Sequence, residues 1–372
     1  MIIKKDNNKS NIIEKKSNIN DIELLFKEAT NLTDEEHYKE ALNKYNHIIK
    51  RLKDSSSIKK LKRFIGANFL KAHIYITYLK DNESAIKVYD TVIDKFKDSN
   101  SVELLKFYAK AQKFKASLLD RDEAIYIYDE IVDRFKDSSD IELLKLYVNA
   151  QNAKATLSTN DSDTIEIYDE IIDRLKDTKD RELLKEVVDI EFSKALLIDN
   201  SEESLELYDD IIEKLNPYSE FKDKVSDALF AKSYEISKED KEASMEILDK
   251  IIDKYRDNSN RASSQNFEYA VINNIELALV TNSDDTEYRE LANQSLLEIP
   301  DTKPQLEMLQ ILKDAQDINQ DEAMKRWKSK YKDYKFENWS FDTLKEWNSQ
   351  MEDNEERARI KAYINEFSKH SS

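Results

Sequence analysis

With 372 residues, the chain is long enough for two or three ordinary domains or for one elongated repeat array. Hydrophobic residues make up 40% and charged residues 37%, yet glycine occurs once and proline three times, too few for sheets joined by tight turns, so the composition predicts an all-α chain. The lack of cysteine excludes disulfides, thiolate metal sites and cysteine nucleophiles and agrees with a cytoplasmic setting, while a net charge of −18 disfavours nucleic acid as a partner.

Residues 1–19 are polar, rich in Asn and Lys and without sustained period, and are predicted to form a disordered tail. They hold no apolar run suited to a signal peptide, and nowhere does the sequence reach the ~18 apolar residues a membrane span needs. A first helix is predicted over 22–32 and a second over 35–53. From that second helix a repeat begins. Tyr45, Tyr89, Tyr128, Tyr168, Tyr208 and Leu248 follow one another at intervals of 44, 39, 40, 40 and 40 residues. A fixed period of this size marks units that bury their apolar faces against their neighbours.

Within each copy the spacing is helical. A small or short side chain stands four residues before the tyrosine position (Ala41, Ala85, Ala124, Thr164, Ser204, Ser244). Paired aliphatics such as Ile48/Ile49 and Ile131/Val132 come three and four after it, and Leu52, Phe96, Phe135, Leu175, Leu215 or Tyr255 seven after it. At 100° per residue these positions form one stripe. Each helix stops at a polar break such as KDSSD, and a companion helix containing ELLK or a variant follows. Ser139 with Glu142 has capping-box spacing, and Asn100 with Glu103 offers a weaker version. The units over 20–258 are therefore predicted to be antiparallel helix pairs stacked side by side. The aliphatic runs also suit one long bundle, but the forty-residue period favours a solenoid.

Over 259–318 the repeat decays. Helices are predicted at 261–281 and 287–299, then Pro300 and Pro304 punctuate the start of a helix at 305–317. Residues 319–372 read as an aromatic helical cap, with helices at 321–332, 341–351 (Ser340 as N-cap) and 354–367. Trp327, Trp339 and Trp347 fall in this segment, beside Tyr331, Tyr334, Phe336 and Phe341. A terminal repeat needs its exposed apolar face covered, so the core of the cap is the favoured role, with a protein-binding hot spot as the alternative.

No spacing typical of a catalytic, metal or cofactor site occurs. The histidines are scattered, Gly66 alone cannot make a phosphate-cradling loop, and neither Asp161-Ser162-Asp163 nor Asp284-Asp285 has EF-hand spacing. Gly66 is expected to permit a close helix contact. Acidic columns recur one and five residues after the tyrosine position (Asp90 and Asp94, Asp129 and Asp133), beside a basic column of Arg51, Lys95, Arg134, Arg174, Lys214 and Lys254. They predict a solvated outer face with charge pairs, or secondarily a track for a basic partner. The basic patch at 59–63 keeps RNA binding and head-to-tail self-association as lesser alternatives.

Taken together, the helix pairs resemble tetratricopeptide repeats, specifically bacterial variants of about forty residues with a segment like YDEIIDRFKDS. The small residue before each tyrosine matches the one opening the second helix of such a repeat. Lys71-Ala72, Lys115-Ala116, Lys154-Ala155, Lys194-Ala195 and Lys232-Ser233 stand where that family often has glycine. The spacing from Ala116 to Ala124 is about one helical turn shorter than that from Ala72 to Ala85. The resemblance implies a right-handed α-solenoid of helix pairs with a non-repeating helical C-terminal cap. It also implies a groove lined by the companion helices, where Asn68, Lys106, Lys110, Lys113, Lys145, Asn149, Asn152, Lys185 and Asp189 could grip a peptide's backbone and carboxylates. The expected function is a non-catalytic scaffold or adaptor for a protein or peptide. The alternative is a regulatory or host-directed effector module that modulates a partner.

Overall fold

A computed structural model describes residues 7–198, 201–256, 265–295, 303–316, 318–336 and 339–371. The helices run in chain order as α1 (Asn7–Asp34), α2 (Tyr38–Leu52), α3 (Ile58–Ile74), α4 (Asn82–Phe96), α5 (Val102–Ala116) and α6 (Arg121–Phe135). Then come α7 (Ile141–Leu157), α8 (Asp161–Leu175), α9 (Arg181–Ala195), α10 (Ser201–Leu215), α11 (Lys222–Ser237) and α12 (Lys241–Arg256). The last six are α13 (Gln265–Thr281), α14 (Thr286–Ser295), α15 (Lys303–Asp314), α16 (Asp321–Lys330), α17 (Asp342–Gln350) and α18 (Glu355–Ser368). Among the described residues there is no strand beyond an isolated bridge between Phe336 and Ser371. The chain divides into two compact units between Ile190 and Glu191. Within each, successive helices pack against their neighbours in the manner of an α-solenoid.

The repeat predicted from tyrosine spacing is the repeat observed. The tyrosine helices α2, α4, α6, α8 and α10 each span 15 residues. The apolar stripe is the core, with Ala41, Tyr45, Ile48 and Leu52 of α2 and Ala124, Tyr128, Ile131 and Phe135 of α6 all buried. Burying side chains of that size contributes roughly 1.5–3 kcal/mol each, more than intrinsic helix propensity supplies to short helices. The small residues Ala41, Ala85, Ala124, Ser204 and Ser244 are buried. Where they are serines, Ser204 donates to the Ala195 carbonyl at 3.2 Å and Ser244 to the Ser233 carbonyl at 2.8 Å. A larger side chain at either position would force the backbones apart.

Several expectations shift. α1 begins at Asn7, so helical backbone enters the stretch expected to be a polar tail; residues 1–6 lie outside the described residues, as do the boundary at 258 and Pro300. The cap of α7 is Asp140, one residue after the predicted Ser139, and its carboxylate accepts from the Glu142 and Leu143 amides at 2.9 and 3.2 Å. Asp180 does the same for α9, and α5 starts after Ser101 without a side-chain cap bond. The long interval between Tyr45 and Tyr89 has a local cause. α3 runs on into a π-helical turn, Tyr75–Leu79, ended by Lys80 in the left-handed region at φ 55°. Gly66 is not a close-contact glycine, because an added Cβ would meet only the Phe26 ring at 3.8 and 3.9 Å, ordinary van der Waals contact.

In the second unit, α13 is the hub, packing on α11, α12, α14, α15 and α17. Beyond it, Trp327 is buried at 2% exposure, stacks on Phe336, meets Phe367 edge-on at 4.9 Å, and donates from Nε1 to the Pro304 carbonyl at 3.0 Å. The C-terminal residues close over it, with the Phe336 amide bonded to the His370 carbonyl at 2.8 Å. Arg359 donates to the Ala315 carbonyl at 2.8 Å, tying α18 to the end of α15.

Candidate functional site

The ELLK segments sit in the first turn and a half of α5, α7 and α9, so Glu and Lys three residues apart share the outward face while both Leu turn inward. Their charges form a ladder between repeats. Lys62 pairs with Glu103, Lys106 with Glu142 and Lys145 with Glu182, each lysine reaching the glutamate of the next companion helix. Lys145 also holds Glu142 at 3.1 Å. Hydrogen bonds from Lys106 and then Lys145 keep the Glu142 carboxyl below its ordinary pKa, and the bond to Glu182 keeps Lys145 above its own. Because these partners are largely solvated, each rung contributes at most about 1 kcal/mol and acts chiefly on register. The glutamates predicted to serve capping boxes are thus committed to the ladder.

This separates the groove candidates. Lys106 and Lys145 are tied to carboxylates, whereas Lys110 lies over the Phe69 and Phe114 rings at 5.7 and 5.5 Å, and Lys113 has no ion-pair partner among the described residues. Asn149 is exposed and donates to the Lys145 carbonyl at 2.7 Å, Asn152 is half-buried, and Lys185 is exposed on α9. Asn68 corrects the sequence reading: it is 2% exposed and its amide donates to the Phe64 carbonyl at 2.9 Å, so it belongs to the interior. Lys106, Lys110, Lys113 and Asn149 rim a cavity of about 310 Å³ between α5 and α7, floored by Ala109, Phe114, Tyr128, Ile131, Leu146 and Ala150. The site therefore offers an apolar floor under two cations not committed to carboxylates. It suits an aliphatic or aromatic anchor beside acidic groups.

The charge columns on the tyrosine helices are largely consumed within the chain. Asp90 pairs with Lys115 at 2.8 Å, Asp129 with Lys154 at 2.6 Å, and Asp209 with Lys232, using the lysine of each Lys-Ala or Lys-Ser step. Asp94, Asp133 and Asp173 pair three residues on with Lys97, Lys136 and Lys176. The basic column caps helix ends: Lys95 donates to the Lys53 carbonyl at 2.5 Å, and Arg174 to the carbonyls of Lys136 and Ser138 at 2.5 and 2.8 Å. In the first repeat Asn46 replaces the aspartate, and the half-buried Lys71 instead approaches the Tyr75 ring at 5.9 Å, its pKa lowered by burial.

The tryptophans also part company. Trp327 is core and presents no surface to a partner, and Trp347 is half-buried against the C-terminal core. Trp339 is half-buried and lines a separate cavity of the second unit. Asp285, half of the acidic pair noted in the sequence, is 1% exposed and bound by Arg289 at 2.6 Å and by Lys313. Among the described residues no group of three or more His, Asp or Glu is arranged to hold a metal ion, and no helix is long and apolar enough to cross a membrane. No protein-family model matches the chain, and no curated protein matches it.

Proposed function

We propose that the chain is a cytoplasmic, non-catalytic interaction scaffold built from tetratricopeptide-like helix pairs, and that its companion-helix face holds an acidic peptide with an apolar anchor. The observation carrying this reading is the division among the lysines: Lys106 and Lys145 maintain the array, while Lys110 and Lys113 border an apolar cavity without a carboxylate. Support for the repeat assignment comes from the forty-residue period and from the contacts of Ser204 and Ser244 with the preceding helix. Peptide display against the purified chain tests the proposal. Selected peptides are expected to carry an apolar residue flanked by Asp or Glu, and the double substitution Lys110→Glu/Lys113→Glu is expected to abolish their binding with helicity unchanged. Selection of peptides without acidic bias, or undiminished binding by the double variant, would remove the groove assignment.

A further inference from the structure

The second unit holds a cavity of about 300 Å³ of its own. Its walls come from α11, α12 and α13, with Gln305 of α15 and Trp339 ahead of α17. Glu276 of α13 stands in this wall at 6% exposure, and its Oε1 is buried with no hydrogen-bond partner. The buried indole N–H of Trp339, in the same lining, also lacks a partner. Three serine hydroxyls of the lining are spent otherwise, since Ser233 donates to the Phe230 carbonyl, Ser237 to that of Tyr234 and Ser244 to that of Ser233. A buried carboxyl and a buried N–H left unmet in one lining are costly to the apo protein, and a ligand presenting a donor and an acceptor would relieve both.

The rest of the wall specifies the donor. Phe230 and Tyr269 lie with ring centroids 5.9 Å apart, and Tyr234 and Trp339 add further ring surface. Aromatic faces around a carboxyl favour an organic cation over a neutral donor, and Leu248 gives an alkyl stem an apolar surface. We propose that this cavity binds a primary alkylammonium, with the cation paired to Glu276 among the rings and a carbonyl on the ligand accepting from Trp339. This chemistry is that of a lysine side chain within a peptide, whose own backbone supplies the carbonyl; a free diamine shares the cation but offers Trp339 no acceptor.

Proton linkage gives this pairing a signature. Burial alone pushes the Glu276 carboxyl up to about 8, and among the lining residues the only other titratable side chains are Tyr234 and Tyr269. Of the charged groups on the neighbouring elements, Asp249 of α12 is engaged by Asn274 and Tyr288, Lys241 of α12 by Glu346 of α17, and Asp285, ahead of α14, by Arg289 and Lys313. An arriving ammonium must therefore displace a proton from Glu276, whereas a neutral amide need not.

Titration calorimetry at neutral pH, in buffers of different ionisation enthalpy, tests the assignment with three probes: Nα-acetyl-lysine methylamide, its Nε-acetylated counterpart, and 1,5-diaminopentane. The lysine derivative is expected to bind with release of nearly one proton, and its affinity to rise about tenfold per pH unit below pH 8. Acetylation of the amine, or Glu276→Gln in the protein, is expected to weaken binding at least about tenfold. Tighter binding of the lysine derivative than of the diamine supports a peptide source with Trp339 engaged, and the reverse order overturns the contact to Trp339. Absence of binding by both amines at millimolar concentration overturns the proposal, as does equal binding of the Nε-acetylated probe or binding without proton release.

Discussion

Replacing Glu276 by glutamine is expected to stabilise the second unit at neutral pH and to remove much of its pH dependence. The carboxyl has no partner to hold its charged form, so burial raises its pKa from 4.5 in the unfolded chain to about 8 in the folded one. Below pH 4.5 both states hold the proton and the folded state suffers no ionisation penalty. As pH rises from 4.5 towards 8, the unfolded chain releases its proton while the folded chain retains it, and stability falls by about 1.4 kcal/mol per pH unit before levelling off. At pH 7 the accumulated loss is about 3 kcal/mol, which glutamine, having no charge to lose, does not incur. All three tryptophans lie in the second unit, so urea denaturation followed by tryptophan fluorescence reports on it directly. Curves for the natural chain and Glu276→Gln at pH 5, 6, 7 and 8 should diverge steadily. Parallel stabilities across that range would refute the reasoning.

Two further outcomes follow from packing and charge. Gly66→Ala in α3 should stabilise the first unit by about 0.5–1 kcal/mol, since glycine costs that much in a helix interior and the new methyl meets only ring carbons of Phe26; thermal melting by circular dichroism checks the sign. Lys214→Met should destabilise the second unit by about 3–5 kcal/mol because it strips a salt bridge from Glu191, a residue with 0% exposure. The double variant Glu191→Met/Lys214→Met should recover most of that loss in urea titrations, and failure to recover would show that the damage came from packing.

The repeating half of the fold was legible because its signal is redundant. Six helices repeat one stripe, so a single misleading residue could not move Tyr45, Tyr89 or Tyr128 off the core face. Features decided by one or two atoms were not. Ser139 and Asp140 are adjacent cap formers, and sequence spacing could not tell which would bond the first turn of α7. Asn68 looked like a groove residue because polar side chains on a companion helix usually face water, yet its amide turns back onto its own helix. The ion-pair ladder did leave a trace, since Glu103, Glu142 and Glu182 recur at intervals of 39 and 40 residues and Lys62, Lys106 and Lys145 at 44 and 39. Read as helix starts, those glutamates concealed the partnership. Glu276 left no trace, because a carboxylate among the apolar residues of α13 looks like any interruption of a core helix until its neighbours in space are known.

The ladder also gives the array a grammar. An inner companion helix presents a carboxylate to the helix before it and an ammonium to the one after, like a socket and a plug on each module. Excising α5 with α6, or inserting another such pair, would match Lys62 or Lys106 to an equivalent glutamate, so the array could change length by whole pairs without a mismatched joint. The terms at either end differ: Lys59 occupies the socket position of α3, and Lys222 stands forty residues beyond Glu182. Modules can thus be exchanged inside the series, while the ladder itself stops where lysines take the glutamate's place.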